Sequence, residues 1–343
     1  MKNNLFSFAT KELSQDAFIC WLCSFAKDDI ECEEDALRKC AKHLLCEFIG
    51  GDDSSDIKLL EAKKQVMNID VLLLVEYLNK KYYIIVEDKV HTSEHDDQLN
   101  RYKESLKSIC TYEEIVCVYF KTGFQSDYSA VKDANYRIID RRLMLDIFRC
   151  YEGDIHNNIF RDFYTYWFNY NIAVNSYNSI GLNDWDDQRQ VNGFFEYMQT
   201  EISELNDCWA GYGWVNNRGG CFWGFWYGYN DDVLSYNNAT VALYLQLEIK
   251  WNYKTNKYDW NLCLKFEKKE GDDENIKKIK DKILDEIVSC GFIKADRIRS
   301  ADHMTLGKYD MDCSTSSELK DIMIEALNDG LKTLIAIFNL KKK

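Results

Sequence analysis

The chain has 343 residues, 46% of them hydrophobic and 14% aromatic, enough for one large core or two ordinary ones. Its formal net charge of −14 excludes a protein that coats nucleic acid by general electrostatics, but leaves room for a local basic groove or a substrate held through cations. No apolar run is long enough to span a bilayer, and the opening MKNNLFSFATKELSQD has neither h-region nor small-residue cleavage site, so a cytoplasmic protein with no membrane partner is expected.

TKELSQDAFICWLCSFA, residues 10–26, has apolar residues at 13, 17, 18, 21, 22 and 25, the stripe of a helix with Thr10 as N-cap. A second helix follows over 33–49. The 13 cysteines are scattered, and the close pair Cys20 and Cys23 lies mid-helix with no second pair or nearby histidine to complete a zinc site, so reduced core thiols are expected. There is no proline, so turns rest on Gly, Asn and Asp, as in FIGGDDSSD and GLNDWDD.

Beyond GGDDSSD the pattern becomes extended: IKLLEAKK (57–64), VMNIDVLLLVEYL (66–78) and KYYIIVEDK (81–89), the last two joined by an NKK turn. A polar helix (94–109), a buried strand EIVCVYF (114–120), a shorter strand YRIID (136–140), a helix from 141 and an aromatic helix near 157–169 follow. The order describes an α/β core built on a three-strand meander. The polar stretch 171–188 lacks a period and reads as a linker between domains at 1–170 and 189–343. The second domain reads as α+β, for recognition, regulation or oligomerisation. It has a helix near 189–205, an aromatic Gly-rich segment, strands at 241–252 and 260–269, a helix over 275–291, a strand pair and a final helix over 318–338.

The strand at 81–89 ends on Glu87, Asp88 and Lys89, charges that are costly to bury unless paired or bound to a metal. Asp70 enters the neighbouring strand, and a hairpin turning near Asn79 sets the residue opposite it near position 88. Asp70 and Glu87 can then share one site, with Glu87 and Lys89 on one face and Asp88 on the other. Two hard carboxylates beside a lysine suit Mg²⁺ or Mn²⁺. Lys89 is placed to serve a water or to stabilise charge on a phosphoryl oxygen. The plain alternative is a hairpin with charged ends.

Asp70 followed by Glu87-Asp88-Lys89 resembles the D…E-x-K signature of the PD-(D/E)XK nuclease superfamily, with Ile69 where the family name has proline. Gln98 and Tyr102 in QLNRY match the Q-x-x-x-Y element on the following helix of several branches. Glu12 resembles the acidic residue that an N-terminal helix adds to the metal site. SQDAFICWL and EDKVHTSEHDDQLNRY look like a bacterial branch of stand-alone PD-(D/E)XK-like proteins. The resemblance covers roughly the first half of the chain.

It implies a restriction-endonuclease-like fold and a metal-dependent nuclease whose substrate is nucleic acid, DNA in preference to RNA. Asp70, Glu87 and the backbone carbonyl of Asp88 would be metal ligands with Glu12 as a further candidate, and Lys89, Gln98 and Tyr102 would complete the catalytic set. A bacterial protein of this kind suits defence against foreign DNA. The acidity of the chain suggests an activating or substrate-delivering protein, and a homodimer is the other partner considered. The rival reading is a nuclease fold that senses nucleic acid, a nucleotide or a foreign protein without cutting.

Other residues carry weaker signals. Glu12 in a first helical turn also complements the helix dipole, and Asp16 lies one turn on along the same face. His91 and His95 flank the turn after Lys89 and read as surface groups. Trp214, Trp223 and Trp226 flank an NNRGG hairpin and either stack on bases, line a pocket or build a sheet core. The lysines of IKKIKDK and LKKK read as a solvated helix face and a frayed end.

Overall fold

The computed structural model describes all residues except 1–2, 33, 94–97, 108–113, 217–219, 231–232, 299–300 and 341–343. Two units separate along the chain, Met1–Asn171 and Ile172–Lys343.

In the first unit α1 (Glu12–Ser24) and α2 (Asp35–Ile49) precede the meander β1 (Lys58–Val66), β2 (Ile69–Tyr77) and β3 (Lys80–Lys89). Then come α3 (Gln98–Lys107), β4 (Glu114–Lys121), α4 (Ser129–Asp133), β5 (Arg137–Asp140), α5 (Arg141–Arg149) and α6 (Asn158–Asn175). The strands form one mixed sheet in the order β1-β2-β3-β4-β5. β1, β2 and β3 pair antiparallel, whereas β4 runs parallel to β3 and β5 parallel to β4.

β3 is central and covered on both faces, which is why its middle is a continuous apolar run rather than an alternation. On one face Val71, Leu73, Ile84 and Val86 pack with Phe18, Leu44, Phe148 and Phe163 from the helices. On the other, Leu72, Ile85 and Tyr119 meet Leu99, Tyr102 and Leu106 of α3. The charged end of β3 therefore leaves a dry sheet between two layers of helices.

The hairpin between β2 and β3 turns on Leu78 and Asn79, both left-handed at φ 51° and 62°, the pair that a tight two-residue turn requires. Its register sets Val71 against Val86. One step further, Asp70 falls opposite Glu87, a residue earlier than the expected position 88. Gly123 holds the exit of β4 close to that of β3: a Cβ there would lie 1.8 Å from the Val90 carbonyl oxygen.

In the second unit two short 3-10 turns, Ser176–Asn178 and Leu182–Asp184, precede α7 (Gln188–Ser203), with Leu182 and Trp185 buried. Next are β6 (Cys208–Val215), β7 (Phe222–Tyr229), β8 (Val233–Tyr236), β9 (Ala239–Asn252), β10 (Lys257–Glu270) and α8 (Asp273–Glu286). β11 (Phe292–Lys294), β12 (His303–Tyr309), α9 (Ser316–Glu325) and α10 (Lys332–Leu340) close the chain. The strands form an antiparallel sheet ordered β11-β12-β10-β9-β7-β6, with β8 also on β9. The expected class, a mixed α/β core followed by an α+β part, is what the chain adopts.

Local expectations fail in a few places. Thr10 does not cap α1; the N-cap is Lys11, without a side-chain bond. The short elements α4 and β8 have too few residues to show a period. The final helix is interrupted by a π-helical segment, Ala326–Leu331, whose Gly330 packs against Phe292. The middle of the NNRGG hairpin, 217–219, lies outside the described residues, as does His95. Among the described residues the cysteines are free, Cys20 and Cys23 included, and no helix is long and apolar enough to cross a membrane.

Candidate active site

Strand alternation and the two helical layers divide the end of β3 between two environments. Glu87 and Lys89 face α3, and Asp88 faces α1, as the period of two demands. Glu87 is completely buried. Its Oε1 takes both the Lys89 ammonium, at 2.5 Å, and the Gln98 amide, whose Nε2 donates at 2.8 Å. The same Gln98 nitrogen donates to the Tyr102 hydroxyl at 2.5 Å, so the two residues one helical turn apart act together on Glu87. Glu87 Oε2 is buried and has no hydrogen-bond partner.

The electrostatics follow from that packing. Burial, and then the charge of Asp70, push the Glu87 carboxyl up to about 7. Burial disfavours the Lys89 ammonium, but the bond and charge of Glu87, with Asp70 and Glu12, outweigh it and raise the lysine's pKa. Lys89 therefore stays a cation although it is nearly buried. Burial raises the Tyr102 hydroxyl as well.

Asp70 stands at the start of β2, partly exposed. Its Oδ2 accepts the Asp88 N–H at 3.0 Å and its Oδ1 accepts from Gln65 Nε2 at 3.2 Å. The backbone bond ties Asp70 to the strand that carries Glu87 and Lys89.

α1 presents three polar residues, 12, 15 and 16, to the same strand ends. Glu12 Oε1 accepts the Val90 N–H at 3.1 Å and the Thr92 hydroxyl at 2.8 Å. Gln15 donates to Asp88 Oδ1 at 2.5 Å and accepts from the Thr122 hydroxyl at 3.0 Å. Asp16 Oδ2 accepts from Gln65 at 3.1 Å. Burial and then Asp70 raise Asp16 to about 6, and burial and then Asp16 raise Asp88 well above the carboxylate range. Burial thus favours the protonated form of both acids, which spares the helix packing a second full charge.

Two buried cations brace this end of the sheet. Lys121, in register with Lys89 on the neighbouring strand, donates to the carbonyls of Val90 at 3.2 Å and Thr92 at 2.5 Å. Arg141 donates to the Thr122 carbonyl at 2.8 Å, its guanidinium lying against Phe124 and Tyr170.

The structure therefore brings together Asp70, Glu87, Asp88, Lys89, Gln98, Tyr102 and Glu12. Sequence reasoning missed Gln15, Gln65, Lys121, Thr122 and Arg141. The spacing 12, 15, 16, three polar residues along one helical face, was the available signal. The tryptophans do not gather. Trp214 and Trp223 pair across β6 and β7 with ring centroids 5.2 Å apart. Trp226, three residues from Trp223, lies on the opposite sheet face over Gly211 and Gly213.

The donor set suits a hard divalent cation. An orphaned, fully buried carboxylate oxygen on Glu87 is costly unless a cation satisfies it. Among the described residues no three His, Cys, Asp or Glu side chains converge as a metal cluster. Carboxylate oxygens are the ligands that Mg²⁺ accepts while keeping several waters.

A family model described as the PD-(D/E)XK nuclease superfamily matches residues 2–189, more than half of the chain. No curated protein and no solved structure matches it.

Proposed function

The chain belongs to the PD-(D/E)XK nuclease superfamily, and on that premise we propose that it hydrolyses phosphodiester bonds of nucleic acid, DNA in preference to RNA, with Mg²⁺ or Mn²⁺. The observation that carries the reading is the Glu87 carboxylate. One oxygen is spoken for by Lys89 and Gln98, and the other is buried without a partner next to Asp70.

Asp70, Glu87 and the Asp88 carbonyl would hold the cation, with Glu12 at the rim. A bound divalent ion supplies Lewis acidity, which favours deprotonation of a water and neutralises charge on the phosphate. The chain's own residues do the rest. Lys89 holds the attacking water and donates to the phosphoryl oxygen as negative charge develops there. Gln98 and Tyr102 fix the Glu87 oxygen that Lys89 needs. The water gives a proton to solvent as its oxygen bonds to phosphorus, the bond to the leaving sugar oxygen breaks, and that oxygen takes a proton from solvent.

The net charge of −14 supports a restrained enzyme whose substrate is delivered or whose activity is switched on by a partner. Defence against foreign DNA is the role that family resemblance supports.

The test is cleavage of linear, circular and single-stranded DNA and of RNA with Mg²⁺ or Mn²⁺, beside Glu87→Gln and Lys89→Met. Metal-dependent cutting lost in both variants is expected. Mn²⁺ binding at this site with no substrate cut would favour the non-cleaving sensor.

A further inference from the structure

Gln65 sits near the end of β1 with φ 56°, in the left-handed region. Glutamine enters that region at a cost, whereas glycine and asparagine enter it readily. The turn it precedes does not explain it. Met67 and Asn68, at φ 57° and 64°, already supply the left-handed pair that closes β1 onto β2. The next hairpin, through Leu78 and Asn79, closes with its two central residues alone in that region.

What distinguishes Gln65 is its side chain. One amide nitrogen donates to Asp16 Oδ2 at 3.1 Å and to Asp70 Oδ1 at 3.2 Å. A neutral donor thus stands between two carboxylates from different elements. With the Asp88 N–H on Asp70 Oδ2 at 3.0 Å, both Asp70 oxygens are gripped, and each keeps a lone pair for a further partner.

Resting on the reading of Asp70 as a cation ligand, we propose that Gln65 is a positioning residue: its amide holds the Asp70 carboxylate in place for the metal and separates it from Asp16. The backbone strain at 65 is retained because it aims that amide. A local rule broken beside the site is then a functional feature.

The experiment uses the full chain as wild type, Gln65→Gly, Gln65→Asn and Asp70→Asn. Mn²⁺ affinity is measured by calorimetry, thermal stability in chelator, and cleavage at limiting and saturating Mn²⁺. Gly and Asn both relieve the left-handed strain, and neither spans the two carboxylates, since Asn is one methylene shorter. Both variants are expected to melt at or above wild type while the Mn²⁺ dissociation constant rises about 10- to 100-fold. Saturating Mn²⁺ should return cleavage to within several-fold of wild type. Unchanged Mn²⁺ affinity in both variants overturns the proposal, and so does a loss of affinity that tracks a loss of melting temperature. Asp70→Asn separates the two levels. If it abolishes Mn²⁺ binding while the Gln65 variants bind normally, only the positioning role falls. If Asp70→Asn binds Mn²⁺ as the wild type does, the metal-ligand reading falls and the positioning role with it.

Discussion

The Lys89 ammonium lies 2.5 Å from Glu87 Oε1, two residues back on the same face of β3. A strand can place two such groups side by side only because its side chains alternate, and burial between two helical layers makes each depend on the other. Glu87→Gln keeps an acceptor for Lys89 and Gln98 and removes the charge that burial opposes. Its stability in chelator should stay within about 1 kcal/mol of wild type, while cleavage falls at least ~100-fold. Lys89→Met leaves Glu87 buried without its cation and should cost about 2 kcal/mol more than Glu87→Gln. Urea melts in chelator beside cleavage assays read both. Wild-type cutting by Glu87→Gln would remove Glu87 from the chemistry.

Asp16 and Asp88 make the metal-free protein sensitive to pH. Asp16 is raised from 3.8 to about 6, so between those values the unfolded chain has lost a proton that the folded chain keeps. The folded state then binds more protons, and stability falls as pH rises through this window. Asp16→Asn removes that loss and supplies an amide donor to Asp88. The variant should match wild type near pH 4 and exceed it by about 1–2 kcal/mol at pH 7 in chelator. Denaturant midpoints across that range decide it. A gap that stays constant with pH would show that burial of Asp16 carries no linkage.

Gly123 fixes the distance between the exits of β3 and β4. A Cβ there would come within 1.8 Å of the Val90 carbonyl oxygen, which also accepts from Lys121. The obstacle is backbone, so no rotamer change relieves it. Gly123→Ala should destabilise by about 2–4 kcal/mol and displace Val90, which donates to Glu12. A thermal melt measures the first effect and Mn²⁺ titration the second. A stable Gly123→Ala with unchanged Mn²⁺ affinity would show that the two strand exits move independently of the site.

The legible parts of the site were those with local signatures. An apolar run ending in Glu87-Asp88-Lys89 announces an anomaly by itself, and Gln98 and Tyr102 declare one helical face by their spacing. The Asp70 register came out one residue off because the turn seats Leu78 in the left-handed region, which no sequence rule assigns to leucine. Gln65 and Thr122 left no mark of their own, and their contacts with α1 span the chain: Gln65 reaches Asp16 across 49 residues and Thr122 reaches Gln15 across 107. Lys121 directly follows the apolar run EIVCVYF, and only its two carbonyl partners reveal a brace. In the second unit β8 is four residues long, too short for its alternation to stand out.

Trp214 and Trp226 should separate binding from packing. Trp214 is 50% exposed, its indole N–H bonded to Asn216 at 3.0 Å. Trp226 covers glycines instead: a Cβ on Gly211 would lie 2.5 Å from its Nε1, and one on Gly213 would lie 3.3 Å from its ring. Three glycines under one indole, Gly224 at 3.4 Å being the third, leave a flat bed that a smaller side chain cannot fill. Trp226→Ala should therefore destabilise by about 1–3 kcal/mol, with Trp214→Ala within about 0.5 kcal/mol of wild type. If the exposed indole stacks on bases, Trp214→Ala should weaken binding of a single-stranded oligonucleotide by about 1–3 kcal/mol, and Trp226→Ala, once corrected for folding, by far less. Fluorescence titration of both variants with the same oligonucleotide gives the answer. Equal affinities for wild type and Trp214→Ala would return that residue to the role of a hairpin contact with Trp223.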